Sequence, residues 1–116
     1  MVIPIAEAMP ASPFESVTTE LYEQEYRTRH VLNGVLSHWA GIKPDAPAIL
    51  NATRGSVTTW AELAGLSRIL AAELQRMGFG KGDRLAVSMP LLTEHILLEY
   101  ACFQAGVIHA PLDPRL

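Results

Sequence analysis

Residues 57–110 read VTTWAELAGLSRILAAELQRMGFGKGDRLAVSMPLLTEHILLEYACFQAGVIHA, and the changes of hydrophobic period along them decide the fold. Residues 57–59 are β-branched and favour an extended strand. Thr59 and Glu62 then have the capping-box spacing, in which each side chain satisfies the other's orphan backbone N–H at a helix start. Leu63, Leu66, Leu70, Leu74 and Met77 recur at steps of three and four and predict one apolar stripe. Glu62, Arg68, Glu73, Gln75 and Arg76 supply polarity around it, and Gly78 predicts a left-handed end to the helix.

After the turn Gly80-Lys81-Gly82-Asp83, residues 85–89 are short and largely apolar, as a strand covered on both faces of a parallel sheet should be. Pro90 closes that strand. From Thr93 to Ala105 apolar residues nearly encircle a predicted helix, with Glu94, His95, Glu99 and Gln104 as its polar positions. Gly106 caps it, and residues 107–110 give a second strand, so the order strand, helix, strand predicts a right-handed βαβ unit.

Upstream, the apolar residues 48–50, the turn chemistry of Arg54-Gly55 and residues 57–59 predict a hairpin. Asn33 is placed to cap a helix running to Gly41, with Val35, Leu36, Trp39 and Ala40 on one face and Pro44 preventing much continuation. Between Thr18 and His30, the charges of Glu20, Glu23, Glu25, Arg27 and Arg29 surround Leu21, Tyr22 and Tyr26 and permit a short exposed helix. Pro4, Pro10 and small residues make 1–13 a mobile lead-in. The expected class is α/β: helix, β-hairpin, helix, then a parallel strand-helix-strand unit. A sheet of two parallel strands is unfinished, so this is read as the incomplete amino-terminal part of a larger domain, with 1–30 as a partly irregular lead-in and 31–116 as the domain's front portion.

The 116 residues are 49% apolar and 18% charged, the balance of a chain that buries a core. A formal charge of -3 with scattered lysines and arginines offers no basic stripe for nucleic acid. The amino terminus has neither the basic flank of a secretory signal nor an unbroken apolar run long enough for a membrane span. Cys102, the single cysteine, sits among apolar neighbours and reads as a buried small hydrophobe in a reducing, cytoplasmic protein.

Catalytic patterns are missing. Gly78, Gly80 and Gly82 with Lys81 follow a helix and precede a strand, the reverse of a dinucleotide fingerprint, and read as a plain turn. His30, His38, His95 and His109 show no spacing that brings two nitrogens to one metal. His95 and Glu99 share a helix face, which a solvated polar stripe explains better than a metal or acid–base pair. Ser56, Ser67 and Ser88 lack a nucleophile-elbow context, and Trp39 and Trp60 read as core or staple residues.

Two segments nevertheless carry a family resemblance. Residues 57–63 with the following leucine-rich helix and the run from Gly78 to Arg84 resemble the early "(I/V)TYAEL... LGV.KGDRVA" segment of the AMP-forming acyl-CoA synthetases and their relatives, the luciferases and peptide-synthetase adenylation domains. Residues 101–115 are similar to that family's "LACLKAGAVYVPLDPR" segment. Gln104 and His109 depart mildly from it, where lysine and an aromatic are frequent.

The resemblance covers roughly 31–116 and implies a parent enzyme that uses ATP and Mg2+ to convert a carboxylic acid to an acyl-adenylate, then passes the acyl group to coenzyme A. It implies that this segment is scaffold and inactive alone. The family's phosphate loop, its Tyr-Gly-Ser/Thr-Thr-Glu segment, its ribose-binding aspartate and its late lysine do not occur in the sequence. No catalytic or metal residue is therefore assigned. Asp113, Pro114 and Arg115 are the residues the resemblance places near the coenzyme A channel. The expected partners are the remainder of the ligase and its acid substrate. The start of a peptide-synthetase adenylation domain, or a free-standing α/β interaction module derived from such an enzyme, are the alternatives.

Overall fold

The computed structural model describes residues 18–27 and 32–115. The chain divides into two units, Met1–Val31 and Leu32–Leu116. The described part of the first holds α1 (Thr19–Leu21), which widens into a π-helical turn over Tyr22–Tyr26. Thr18 caps it through Oγ1, which accepts the Leu21 N–H at 3.2 Å. The short helix expected over 18–30 is therefore present in part, with 28–30 and the lead-in 1–13 outside the described residues.

The second unit runs α2 (Leu32–Ile42), β1 (Pro47–Asn51), β2 (Ser56–Thr59), α3 (Trp60–Arg76), β3 (Arg84–Ser88), α4 (Thr93–Ala105) and β4 (Ile108–Leu112). β1 and β2 form the expected antiparallel hairpin, and β3 and β4 pair in parallel from Arg84↔Ile108 to Ser88↔Leu112. Helix α2 begins at Leu32, so Asn33 lies in its first turn and is not the cap that its side-chain chemistry suggested.

The start of α3 is built as the sequence dictates. Glu62 N–H donates to Thr59 Oγ1 at 3.2 Å, and Thr59 N–H donates to Glu62 Oε2 at 2.8 Å. Both long helices end alike. Gly78 and Gly106 take positive φ of 99° and 72°. The following residue closes each helix from outside: Phe79 N–H donates to Leu74 O at 3.0 Å and Val107 N–H to Cys102 O at 2.9 Å, the six-to-one bond of a Schellman ending. Phe79 also packs on the cluster that contains Leu74, the apolar contact such endings favour.

The buried face of α3 follows the leucine stripe only in part, with Leu70 packed against the core beside Leu74. Leu63 and Leu74 are buried, but Leu66 and Met77 are 44% and 63% exposed, and Ala64, Ser67 and Ala71 complete the inner face. Small residues win there because α4 also offers Ala101, Cys102 and Ala105, which lets the two helices approach closely. Ser67 is fully buried without penalty, since its hydroxyl donates to Leu63 O at 2.6 Å.

Two apolar clusters result. Ala71, Leu74, Ala101, Cys102, Ala105 and Val107 join α3 to α4 and to the residue that leads into β4, with Phe79 and Leu85 against them. Leu36, Leu63 and Ala64 tie α2 to α3, with Ile49, Trp60 and Leu97 around them. Burying a leucine fully contributes about 1.5–3 kcal/mol, so Leu36 and Leu63 are the anchors of that second cluster. Strand β3 is covered on one face only: Val87 is buried, whereas Ala86 and Ser88 are exposed. The expectation of cover on both faces fails because these residues supply helices to one side of the sheet alone.

Candidate functional site

Parallel pairing brings the carboxyl ends of β3 and β4 side by side, at Ser88 and Leu112. In open α/β sheets that edge is where ligands bind, because the loops leaving the strands are free to vary there. Residues 113–115 leave β4 at this edge. Asp113 organises them: its Oδ1 accepts the Arg115 backbone N–H at 2.9 Å, and its carboxylate receives Arg115 Nε at 3.0 Å and Nη2 at 2.7 Å. The guanidinium holds the Asp113 carboxyl below the ordinary carboxylate range, and Asp113 in turn raises the Arg115 side chain. The Arg115 side chain is 87% exposed, so the pair is a shaped surface feature and not a buried charge.

The other strand-end loop carries no comparable group. It meets the hairpin instead, where Asn51 Nδ2 donates to Thr93 Oγ1 at 3.3 Å and Arg54 Nη1 lies 2.5 Å from Glu94 Oε1. These contacts rim an open cavity of about 320 Å³ lined by residues of the β1–β2 turn and the start of α4. Sequence spacing could not show this bridge, because its partners lie on separate elements.

The glycine turn before β3 is a plain turn, as its context suggested. Gly80 N–H donates to Asp83 Oδ2 at 2.7 Å, Asp83 N–H to Gly80 O at 3.0 Å and Gly82 N–H to Gly106 O at 2.9 Å. Donors already engaged within the chain cannot cradle a phosphate. Cys102 is fully buried, and its thiol is pushed up by burial, with the Glu99 charge adding to the effect. That keeps it protonated and without nucleophilic character. Trp60 packs on Leu36 and Leu63, and Trp39 lies against it at 6.0 Å between ring centroids.

The histidines hold one surprise. His30 lies outside the described residues, and His38 is exposed beside Trp39. His95 and His109, however, meet across α4 and β4 with ring centroids 5.2 Å apart. His95 Nδ1 and His109 Nε2 are sealed from solvent without a hydrogen-bond partner. The solvated stripe expected at His95 and Glu99 is thus incorrect at His95. Strand alternation held the missed signal: His109 pairs in register with Leu85, on the face that α4 covers. Among the described residues no group of three or more His, Cys, Asp or Glu side chains could hold a metal.

Comparison with known proteins fits this framework. A family model described as "AMP-binding enzyme" matches residues 36–116. The chain is 30% identical to 4-coumarate–CoA ligase 2 of Oryza sativa subsp. japonica over 113 residues, covering 95% of this chain and 20% of that protein. It is 28% identical over 89 residues to a linear gramicidin synthase of Brevibacillus parabrevis, covering 77% of this chain and 2% of that protein. Among solved structures, a Mycobacterium tuberculosis fatty acyl CoA synthetase superposes with a TM-score of 0.69 at 28% identity, over 72% of this chain and 17% of that one. The chain spans at most about a fifth of the length of these relatives.

Proposed function

The chain belongs to the AMP-binding enzyme family, and on that premise we propose that it is the amino-terminal portion of an ATP-dependent acid:CoA ligase. Such an enzyme activates a carboxylic acid as its acyl-adenylate and transfers the acyl group to coenzyme A. The observation that carries this reading is the match to 4-coumarate–CoA ligase 2 along 95% of the chain. The likeness in three dimensions to a fatty acyl CoA synthetase supports it.

In this reading residues 31–116 are the front of the ligase's large amino-terminal domain and 1–30 are its lead-in. The segment acts as scaffold. Its two parallel strands start the sheet, and the catalytic groups, with ATP and Mg2+, belong to the remainder of a cytoplasmic enzyme. Asp113, Pro114 and Arg115 border the coenzyme A channel. Arg115 suits that role: Nη1 makes no hydrogen bond to described residues while Nε and Nη2 are steadied by Asp113, so an exposed cationic edge remains for a phosphate.

A second reading, the start of a peptide-synthetase adenylation domain, is favoured by the match to the Brevibacillus gramicidin synthase and by the Pro-Leu-Asp-Pro run at 111–114. The acceptor separates the two: acyl transfer by the complete gene product to free coenzyme A supports the ligase, and transfer only to a carrier-bound thiol supports the synthetase. The scaffold role has its own test. The 116-residue chain, incubated with ATP, Mg2+, coenzyme A and a panel of acids, should release no pyrophosphate above a protein-free control, and clear turnover overturns the assignment.

A further inference from the structure

Among the described residues, two buried side-chain polar atoms lack a hydrogen-bond partner, and both belong to one contact: His95 Nδ1 and His109 Nε2. Buried polar atoms in folded proteins are almost always paired, and an exception calls for an explanation such as an ion or a water. Two exceptions on neighbouring rings point there more strongly than one. The 55° tilt between the planes is neither stacked nor edge-to-face, the arrangements that ring packing favours. In a neutral imidazole one nitrogen carries the proton and the other a lone pair, so each ring can turn a lone pair inward.

The spacing of the rings names what they can hold. An imidazole nitrogen lies about 2.0–2.1 Å from a bound zinc ion, which sets the ring centroid about 3.2 Å from the metal. Two imidazoles on a tetrahedral ion then have centroids about 5.2 Å apart, against about 4.5 Å at a right angle and about 6.4 Å in line. The observed separation is 5.2 Å.

The backbone fixes that separation. His95 stands in the first turn of α4, its N–H donating to Leu92 O at 3.1 Å, and His109 is held in register with Leu85 inside β4. Ligands carried on a helix and a strand keep their positions better than ligands on loops. No third His, Cys, Asp or Glu completes the set among the described residues, so two coordination positions fall to water or a small solute. Imidazole donors favour zinc and its neighbours over magnesium or calcium, which take oxygen.

We propose that His95 and His109 form a two-histidine site for a tetrahedral transition-metal ion of the zinc type, bound through His95 Nδ1 and His109 Nε2. The site is separate from adenylation and does not depend on the ligase reading. It pins the first turn of α4 to the middle of β4. Because both nitrogens are shut off from solvent, the ion enters through a local parting of α4 from β4.

The test titrates Zn2+ alone into the untagged 116-residue chain after chelator treatment. One ion should bind per chain, and about 0.2 mM Zn2+ should raise Tm by about 3 °C or more. Nitrogen-15 spectra of the histidine rings should show metal-bound shifts at His95 Nδ1 and His109 Nε2. His95→Leu and His109→Leu should each weaken binding at least about tenfold, the loss seen when only a group supporting a metal ligand is removed. His30→Leu and His38→Leu together should leave binding unchanged. If a leucine variant loses its fold by circular dichroism, the ring shifts of the unmutated chain decide alone. Zn2+ that moves neither Tm nor the two rings overturns the proposal, the result expected if a water bridges the rings. Binding that survives both leucine variants overturns it too, since the ion then sits on other groups.

Discussion

His95 and His109 face each other at 5.2 Å between ring centroids, their planes tilted by 55°. Each keeps one buried nitrogen without a partner. A buried polar group that makes no hydrogen bond within the protein returns little when it is present, so removing it costs little. His95→Leu and His109→Leu should each change unfolding free energy by less than about 1 kcal/mol, and the double variant should be neutral or more stable. Urea unfolding checks this. Losses above about 2 kcal/mol for either single variant would reveal a partner that the pair does hold.

The capping box of α3 gives a contrasting expectation. Thr59→Ala removes the acceptor for the Glu62 N–H and should cost about 1 kcal/mol, while Thr59→Ser keeps the hydroxyl and most of the stability. The midpoint of chemical denaturation should move with its slope unchanged, because the surface exposed on unfolding is the same.

Gly106 and Gly55 separate backbone strain from crowding. Both have positive φ, 72° and 64°. A Cβ on Gly106 would meet Lys81 Cγ at 3.3 Å and Lys81 Cα at 3.4 Å, whereas one on Gly55 meets nothing within 4 Å. Gly55→Ala should cost about 1 kcal/mol from the left-handed conformation alone, and Gly106→Ala more. Equal losses at the two sites would show that Lys81 gives way.

Asp113 carries a pH signature. Its folded-state pKa is depressed by Arg115, so the stabilisation from the pair is present above the ordinary value of 3.8 and is lost as pH falls through the lower folded-state value. Carboxyl chemical shifts followed by NMR should place the Asp113 midpoint below 3.8, and Arg115→Ala should return it towards that value. High salt should shrink the difference, since both groups stand at the surface.

Cys102 should resist thiol reagents in the folded protein. With its side chain fully buried and its thiol pushed up, reaction with a disulfide reagent at pH 8 should run at least about 100-fold slower than in urea. Equal rates would mean that the α3–α4 interface opens readily.

Signals confined to one element were legible in the sequence. The Thr59 and Glu62 pair, Gly78 and Gly106 each act within a turn of their own helix, and each does what local chemistry required. Features set by a neighbour were not. Leu66 follows the apolar period of α3 yet stands exposed, because the buried cluster between α3 and α4 runs through Ala71, Leu74, Ala101, Cys102 and Ala105. The His95–His109 contact and the Arg54–Glu94 bridge depend on how α4 lies against β4 and the hairpin, which no spacing encodes. At the candidate site, the turn at Asp113 could be anticipated from its type and position, while the hold of its carboxylate on Arg115 required coordinates.

The parallel register of β3 with β4 also imposes an order in time. Each β3 residue finds its partner about two dozen positions later in the chain. During synthesis the hairpin and α3 can close on their own local bonds as they leave the ribosome. β3 must wait unpaired until α4 and β4 have followed. The Gly82 N–H waits with it, since its acceptor is Gly106 O. A pause after β3 has emerged and before β4 has done so would therefore leave an open strand edge, the exposure from which a nascent chain aggregates.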